Sequence, residues 1–325
     1  MSVLVFAENW EGRFKKSTYE AISYANEIAV KLETTTTAVV IGNVSDEDMK
    51  ALGKYGATKV LSVKGDKFAG LDSGVYTSIL AGAVKACAAQ VIVMSYTYSG
   101  KSLAPRLSAR LKAGLVTGAI AVPSSLSPFT VRKKCFSGKG FTDVVINTSL
   151  KVIALSPNSF KVNTSEVVAG VEGLIPDLKD GEFKVSSKEV KKTSGKIALT
   201  EAEIVVSAGR GMKGPENWTM VEQLAELLGA ATACSKPVAD IGWRPHHEHV
   251  GQTGITIAPN LYIAIGISGA IQHLAGVSSS KVIVVINSDA EAPFFKAADY
   301  GIVGDAFTVL PQFIEAIKKL KAAHN

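Results

Sequence analysis

Residues 203–218, EIVVSAGRGMKGPENW, pass from an apolar, β-branched run through a glycine-rich turn into the start of an amphipathic segment. The run 203–208 predicts a strand, and the periodicity of 216–228 predicts a helix. The turn 209–214 matches G-x-G-x-x-G, in which backbone N–H groups can approach a diphosphate. A plain tight turn is the other interpretation, and phosphate contact would gain charge from Arg210. Either way, strand, turn and helix in this order predict an α/β unit.

The same alternation extends outward from this unit in both directions. Strands that alternate with helices at such spacing predict βαβ units and parallel sheets covered on both faces. Three β-rich segments among turns, 130–134, 142–147 and 151–155, predict an antiparallel extension of the first sheet. The other predicted strands are 3–7, 36–41, 59–63, 90–94, 261–265 and 281–286, and the other predicted helices are 17–32, 45–55, 75–88, 99–110, 268–275 and 310–321.

A boundary divides the chain at 175–196, IPDLKDGEFKVSSKEVKKTSGK, which is rich in Pro, Gly, Ser and charge and poor in apolar residues. Such a composition is typical of a linker. The length of 325 residues also favours two domains. We therefore predict an α/β protein with an N-terminal domain at 1–190 and a C-terminal domain at 196–325, each built on a parallel sheet.

The composition is that of a globular protein with a large core, since 47% of the residues are hydrophobic and 20% are charged. These values exclude a disordered or fibrous chain. No apolar stretch approaches the roughly 20 residues that cross a bilayer, and the N-terminal residues lack the pattern of a targeting segment. We expect a cytoplasmic protein that is not embedded in a membrane.

The net charge of +6 divides unevenly along the chain. From Lys196 onward there are 10 Lys and Arg against 12 Asp and Glu, a net of −2, so residues 1–195 carry +8. The basic residues are dispersed and match no nucleic-acid-binding signature, so we expect no nucleic-acid partner. We assign the excess to subunit contacts or solvated surface, and predict that the first domain is a partner-facing scaffold.

Cysteine and histidine positions bear on metal and disulfide chemistry. Cys87, Cys135 and Cys234 are widely spaced, which disfavours a disulfide framework or thiolate zinc site and predicts buried, small apolar side chains. Residues 246–249, His-His-Glu-His, suggest either a metal cluster or a solvated loop. Because adjacent histidines in an extended segment point to opposite faces and no fourth ligand is suitably spaced, we favour the loop and expect no metal.

Two more glycine-rich segments have a pattern that is typical of ligand-binding turns. In 250–254, VGQTG, two glycines flank Gln252 and Thr253, so that backbone and hydroxyl can approach a flat ligand, although a surface turn has the same pattern. In 266–273, GISGAIQH, Ser268 is placed to cap a helix that faces an anion.

His273 follows one turn into the predicted helix, where either a core histidine or a ligand contact is possible. Three glycine-rich junctions at the carboxyl ends of predicted parallel strands converge on one crevice. This convergence favours the ligand interpretation for all three segments.

Five runs, taken together, identify a family. GRGMKGPENW (209–218), CSKPVADIGW (234–243), VGQTG (250–254), NLYIAIGISGAIQHLAG (260–276) and VIVVINSDAEAPFFKAADYGIVGDAF (282–307) closely resemble the C-terminal part of the electron transfer flavoprotein alpha subunit. The resemblance is almost continuous from 207 to about 317. The first half resembles the same subunit more loosely, in VLVFAE (3–8) and LAPRLSARLKAGLVTG (103–118).

The resemblance implies a nucleotide alpha hydrolase-like first domain and a Rossmann-like second domain that binds FAD. It implies a heterodimer with a homologous beta subunit, which holds AMP or a second FAD. Such a protein is an electron carrier without a substrate-turnover site of its own. It takes electrons from acyl-CoA and related dehydrogenases in fatty-acid and amino-acid oxidation and passes them to a membrane quinone oxidoreductase.

The resemblance, applied motif by motif, also implies the residues that line FAD. Lys236, Thr253 and His273 would tune the flavin, since a cation and a donor stabilise the negative charge of the reduced ring near N1 and the C2 carbonyl, and the Thr253 hydroxyl would bond at N5. Asn287 and Asp305 would contact the adenosine and ribose. The full set is Arg210, Ser235, Lys236, Val250, Gly251, Gln252, Thr253, Ser268, Gly269, Ala270, Ile271, Gln272, His273, Asn287 and Asp305.

One position departs from the family pattern, because Lys236 stands where many members have Arg. A lysine keeps the charge as a compact point, whereas an arginine offers a planar fork. Two other functions fit the glycine-rich turn: a nucleotide-dependent dehydrogenase and a regulatory nucleotide-binding module. The dehydrogenase would need an acidic ribose partner about 20 positions beyond Gly214, and Asp240 is the nearest acidic residue downstream of that position.

Overall fold

The computed structural model describes residues 2–178, 181–183, 185 and 197–324. The chain divides into two compact units, one of residues 1–135 with 140–192 and one of residues 193–325 with 136–139. Each unit has its own sheet and its own core. The predicted linker lies largely outside the described residues, and the predicted domain bounds remain predictions. No helix within the described ranges is long and apolar enough to cross a membrane.

The described residues of the first unit form twelve strands and four α-helices. The helices are α1 (Lys16–Lys31), α2 (Asp46–Ala51), α3 (Ser73–Ala86) and α4 (Tyr98–Leu111). The strands are β1 (Ser2–Phe6), β2 (Asn9–Trp10), β3 (Arg13–Phe14), β4 (Thr35–Ile41), β5 (Lys59–Val63), β6 (Ala89–Ser95), β7 (Gly114–Ala119), β8 (Ser125–Leu126), β9 (Phe129–Cys135), β10 (Gly140–Ile146), β11 (Lys151–Leu155) and β12 (Gly170–Gly173).

Ten of these strands form one sheet in the order β10-β9-β7-β11-β6-β1-β4-β5-β12, with β8 paired to β9, and β2 pairs with β3 separately. Both faces of the sheet are covered. In β1, Val3 and Val5 pack into the core that contains α1, whereas Leu4 and Phe6 pack into the core that contains α3 and α4. Because successive strand residues point to opposite faces, a strand between two helix layers must be apolar throughout.

The predicted antiparallel extension is confirmed for two of its three segments. Strands β9 and β10 pair antiparallel. For 151–155 the prediction is wrong, since β11 lies inside the sheet and pairs parallel with β6 and β7. Val152, Ile153 and Ala154 are fully buried, a pattern that suits a strand covered on both faces. The glycine-containing strands β7 and β12 lack a marked apolar run and were not predicted.

The second unit contains a five-stranded, wholly parallel sheet in the order β14-β13-β15-β16-β17, and this confirms the predicted α/β class. Its strands are β13 (Ile204–Ala208), β14 (Ala231–Cys234), β15 (Leu261–Ile265), β16 (Val282–Asn287) and β17 (Tyr300–Val303). Its helices are α5 (Trp218–Leu228), α6 (Lys236–Asp240), α7 (Ile271–Val277) and α8 (Ala306–His324).

Some boundaries in the second unit differ from those predicted. Helix α7 begins at Ile271 and its N-cap is Ala270 without a side-chain hydrogen bond, so the prediction that Ser268 caps this helix is wrong. Helix α8 begins four residues earlier than predicted, because the Asp305 carboxylate accepts a hydrogen bond from the backbone N–H of Phe307 at 2.9 Å. An acidic side chain here suits the positive end of the helix dipole.

The order of the second sheet fixes where a ligand can bind. Strand β13 lies between β14, which follows it in sequence, and β15, which leads outward to β16 and β17. The chain connections therefore leave β13 and β15 in opposite directions. In open α/β sheets this topological switch point opens a crevice beyond the carboxyl ends of the strands.

Candidate functional site

A cleft of about 610 Å³ lies at this crevice, beyond the carboxyl ends of β13, β14, β15 and β16. It collects residues from four separate glycine-rich or helix-start segments. The predicted residues that line it are Arg210, Ser235, Lys236, Val250, Gly251, Gln252, Thr253, Ser268, Ala270, Gln272, His273 and Asn287. Sequence reasoning missed six others: Gly211, Pro237, His249, Gly266, Ile267 and Asp289.

Glycine backbones meet at the switch point between β13 and β15. The Gly211 N–H donates a hydrogen bond to the Gly266 carbonyl oxygen at 3.1 Å. A Cβ added to Gly211 would lie 2.6 Å from the Gly266 Cα, and one added to Gly209 would lie 2.3 Å from the Gly266 carbonyl oxygen. Gly209 and Gly211, the first two glycines of the G-x-G-x-x-G run, are therefore needed for close backbone packing. Gly211 and Gly266 also line the cleft.

The turn 250–254 is anchored on both sides. The Val250 N–H donates to the Cys234 carbonyl at the end of β14, and the Gln252 N–H donates to the Gln272 carbonyl of α7 at 2.7 Å. A Cβ on Gly276 would lie 2.5 Å from the Gly251 Cα. These contacts hold the turn in the wall of the cleft. A turn fixed in this way fits the ligand interpretation better than that of a free surface turn.

Positive charge stands at the mouth of the cleft. The Arg210 and Lys236 side chains are both exposed. The Lys236 Nζ donates to the Asp240 carboxylate at 2.6 Å, and this hydrogen bond lowers the pKa of Asp240. The Lys236 ammonium is therefore paired with a carboxylate one helical turn away.

The imidazole of His273 is buried against the wall of the cleft. Its Nε2 lies 2.8 Å from the hydroxyl of Tyr262, and the ring also has a backbone hydrogen bond with Val250. Burial, with the neighbouring His249, lowers the pKa of His273 to about 4. The ring is therefore neutral near pH 7, and a backbone hydrogen bond with Val250 raises its pKa against the larger effect of burial.

The depressed pKa of His273 predicts an acid-sensitive second unit. The folded-state pKa of about 4 lies below the value of 6.5 for an exposed histidine, so the unfolded chain binds the extra proton first as the pH falls. We expect the free energy of unfolding to decrease by about 2 kcal/mol from this group between pH 7 and pH 5. Urea titrations at both pH values should show this decrease in the parent and a smaller one in His273→Gln. An equal decrease in both would assign the effect to other groups.

The segment 246–249 is not the solvated loop that was predicted. Although His246 and His247 are exposed, Glu248 and His249 are buried. The Arg244 guanidinium donates two hydrogen bonds to the Glu248 carboxylate, each 2.8 Å long. Burial is the main cause that lowers the pKa of His249. No group of three side chains able to hold a metal ion occurs within the described ranges.

Three predicted residues do not line the cleft. Gly269 is buried with φ +83°, and a Cβ there would lie 2.6 Å from the Phe294 Cα. Ile271 is exposed at the start of α7. Asp305 caps α8 and lies 3.4 Å from the Lys213 Nζ. Helix capping thus accounts for the side chain of Asp305, whereas Asp289, after β16, reaches the cleft.

All three cysteines are free. Cys234 is buried, as predicted, and burial raises its thiol pKa to about 12. Cys87 and Cys135 are only half-buried, unlike the buried side chains that were predicted. Cys87 follows α3, and Cys135 ends β9.

Comparison with known proteins agrees with this arrangement. Residues 3–194 match the family described as "Electron transfer flavoprotein domain", and residues 198–278 match "Electron transfer flavoprotein FAD-binding domain". The chain is 38% identical to an electron transfer flavoprotein subunit alpha of Syntrophomonas wolfei, which covers 97% of this chain and 98% of the relative. It is 36% identical to the subunit of the same name from Bacillus subtilis, with 98% of each chain covered.

A third relative, from Pseudomonas aeruginosa, is 34% identical across 98% of this chain and 100% of its own length, and it carries the same subunit name. The cofactor of the matched second domain is FAD. The proteins of this family are electron carriers rather than enzymes with a turnover site of their own. The match over both units shows that the chain belongs to the electron transfer flavoprotein alpha subunit family.

Proposed function

We propose that this chain is the alpha subunit of a heterodimeric electron transfer flavoprotein that holds FAD in the cleft of its second unit. The observation that carries the proposal is the position of the cleft at the switch point, within a unit that matches an FAD-binding domain. The proposed carrier takes electrons from acyl-CoA and related dehydrogenases, in fatty-acid and amino-acid oxidation, and passes them to a membrane quinone oxidoreductase.

The residues of the cleft fit FAD chemically. Arg210 and Lys236 supply positive charge for a diphosphate or a reduced ring. Gly211 and Gly266 let a ligand approach the backbone closely, and His273 and Thr253 place further polar side chains in the lining. When bound, FAD supplies reversible acceptance of one or two electrons, and the protein supplies binding, orientation and charge.

The family resemblance assigns a role to each of these side chains, and their place in the cleft supports it. Lys236 and His273 would stabilise negative charge on the reduced ring, and the exposed Thr253 would bond near N5. Asn287 is proposed to contact the adenosine and ribose part, since it lines the cleft at the end of β16 while its Nδ2 donates to the Ile267 carbonyl at 3.0 Å. We assign to Asp289 the polar contact that was expected from Asp305, because Asp289 is the one that lines the cleft.

The first unit, in the half of the chain that carries the positive excess, is proposed as the surface that meets partners. These are the beta subunit, with its AMP or second FAD, and the donor and acceptor proteins. The proposed location is the cytoplasm. Co-expression with a beta-type subunit, followed by flavin quantification per heterodimer, tests the proposal: one FAD supports a simple carrier and two support a bifurcating member. A purified heterodimer without flavin would overturn the assignment.

Lys236→Ala is expected to make the bound flavin harder to reduce. Removing a cation near the ring destabilises the reduced state, and because Lys236 is exposed and paired with Asp240, we expect about 1–2 kcal/mol, or roughly 40–90 mV for a one-electron couple. A stepwise spectroscopic reduction against reference dyes measures this shift and should also show a lower yield of one-electron-reduced flavin.

Two variants serve as controls for this charge effect. Lys236→Arg keeps the charge, so the potential should stay near that of the parent. Lys213→Ala removes a lysine of the same unit that pairs with Asp305 and does not line the cleft. An unchanged potential and yield in Lys236→Ala, or an equal change in Lys213→Ala, would remove Lys236 from this role.

A further inference from the structure

We propose, on the basis of the FAD site proposed above, that His249 binds a proton from water when an electron adds negative charge to the flavin in the cleft. The donor protein supplies the electron, which stays on the flavin, and the proton stays on the imidazole until the electron leaves. His249 thereby couples reduction of the flavin to the pH. The coupling acts through charge and needs no hydrogen bond between His249 and the ligand.

The backbone holds His249 at the cleft, where the end of β14 meets the turn 250–254. The residue lines the cleft and pairs in parallel with Cys234, the last residue of β14. Its N–H donates to the His246 carbonyl at 3.1 Å, and its carbonyl accepts from the Ile255 N–H at 2.9 Å. Because the main chain is fixed on both sides, the position of the imidazole is fixed as well.

The turn 250–254 folds closely round the imidazole of His249. A Cβ on Gly254 would lie 2.8 Å from its Nδ1 and 2.4 Å from its carbonyl oxygen, and a Cβ on Gly251 would lie 3.4 Å from its Nε2. The two glycines therefore leave the space that the ring occupies. His249 is only 7% exposed, and a charge in such a shielded place is screened less than one at the surface.

The groups that face His249 from neighbouring elements keep its ring neutral near pH 7. Burial is the largest cause that lowers its pKa, and the charge of Lys236 in α6 lowers it further. Asp240, also in α6, raises this pKa, and His246 in the preceding short helix lowers it. His273 in α7 interacts with His249 in the same way, since the charge of His249 lowers the pKa of His273.

The other titratable neighbours are less suited to take the proton. Burial raises the thiol pKa of Cys234 to about 12, so the thiol is already protonated. The Glu248 carboxylate accepts two hydrogen bonds from Arg244, each 2.8 Å long. The pKa of His273 is lowered to about 4, so a much larger change would be needed to protonate it near pH 7. His249, which has Asp240 nearby, is the group on which added negative charge should act first.

Negative charge in the cleft acts on His249 in the direction opposite to Lys236. It favours the protonated imidazole and raises the pKa of His249. The coupling is reciprocal: if reduction raises the proton affinity of His249 tenfold, protonation of His249 raises the potential of a one-electron couple by about 59 mV. The potential should therefore rise as the pH falls through the range in which His249 titrates.

The first test is the potential of the bound flavin, measured against reference dyes in the heterodimer between about pH 8 and pH 5. His249→Gln keeps a polar side chain that binds no proton. As the pH falls, the potential of the parent should rise by about 59 mV more than that of His249→Gln, which corresponds to a tenfold change in proton affinity. The same pH dependence in both proteins would overturn the proposal.

His247→Gln is the matched control, because His247 belongs to the same segment but is exposed and does not line the cleft. Its potential should follow the pH as that of the parent does. If His247→Gln loses the pH dependence as fully as His249→Gln, the effect comes from surface charge and the role of His249 is refuted.

The second test reads the proton on His249 directly by NMR in the heterodimer, with the histidine rings of this chain alone labelled. Single His→Gln variants of the other histidines assign the His249 signal by elimination. Its pKa should lie below 6.5 without flavin and should be about one unit higher with fully reduced than with oxidised FAD, a tenfold change in proton affinity. Equal pKa values in the two redox states would overturn the proposal, even if His249→Gln fails to fold.

The two proposals fail in different ways. A heterodimer that binds no FAD refutes the proposed function and, with it, this role of His249. A heterodimer that binds FAD but shows the same His249 pKa in both redox states refutes only the role of His249.

Discussion

Glu248→Ala is expected to lower the free energy of unfolding of the second unit by about 3–5 kcal/mol, the usual cost of removing one partner of a buried ion pair. The side chains of Arg244 and Glu248 are only 14% and 4% exposed, respectively. Two parallel hydrogen bonds join them, and the guanidinium also lies over the Trp218 ring at 5.6 Å. Without Glu248, Arg244 keeps a desolvated charge that water cannot reach freely.

Urea unfolding followed by tryptophan fluorescence measures this loss, because Trp218 and Trp243 both lie in the second unit. Glu222→Ala is the matched control: Glu222 accepts from the same Arg244 at 2.9 Å, but its side chain is 48% exposed. An exposed pair contributes less than about 1 kcal/mol. Equal losses in the two variants would show that burial of Glu248 is not the source of the stability.

The same variant bears on the cleft, since Glu248 directly precedes His249 and Val250 on its wall. Weaker FAD binding should therefore accompany the loss of stability. The effect is indirect, because Glu248 itself does not line the cleft.

Gly211→Ala is expected to destabilise the second unit by about 3 kcal/mol and to weaken FAD binding at least tenfold. The added Cβ would lie 2.6 Å from the Gly266 Cα and 2.9 Å from its carbonyl oxygen. Gly211 lies in the short turn 210–212 after β13, and Gly266 directly follows β15. Because the contacted atoms are backbone, relief requires the turn to shift away from the end of β15, and the cost belongs to the upper end for overpacking. Urea unfolding and flavin fluorescence measure the two effects.

Gly82→Ala is the control for this glycine substitution. Gly82 lies on an exposed part of α3, and a Cβ there would meet nothing within 4 Å. Alanine in the interior of a helix is favoured over glycine by about 0.5–1 kcal/mol, so this variant should be slightly more stable. FAD binding by Gly211→Ala at parental affinity would contradict the close packing of the switch point.

Sequence reasoning succeeded where local pattern and tertiary role coincide. A strand is predicted by the apolar run 203–208, and a close backbone approach is predicted by the glycines at 209 and 211. In the structure both lie at the switch point. It failed for Glu248 and His249, because a charged residue and a histidine carry no local sign of burial. Their burial depends on Arg244 and on the turn 250–254, which only the folded chain brings beside them.

A similar contrast separates Asp305 from Asp289. Both follow β-rich segments of the second unit, and sequence resemblance assigned Asp305 to the ligand. In the folded chain, the backbone N–H of Phe307 and the ammonium of Lys213 engage the Asp305 carboxylate. The Asp305 carboxylate therefore caps the 19-residue helix α8. Asp289, in contrast, is an acidic residue in the lining of the cleft.

The sequence alone determined the α/β class, the family and most residues of the cleft, because apolar periodicity and glycine-rich junctions are local features. Tertiary structure alone decided which polar and charged side chains became buried and which residues they contact. The order β14-β13-β15 creates the crevice, and the contact of Tyr262 with His273 joins a strand to a helix within it. Such contacts depend on packing between elements, and no local pattern encodes them.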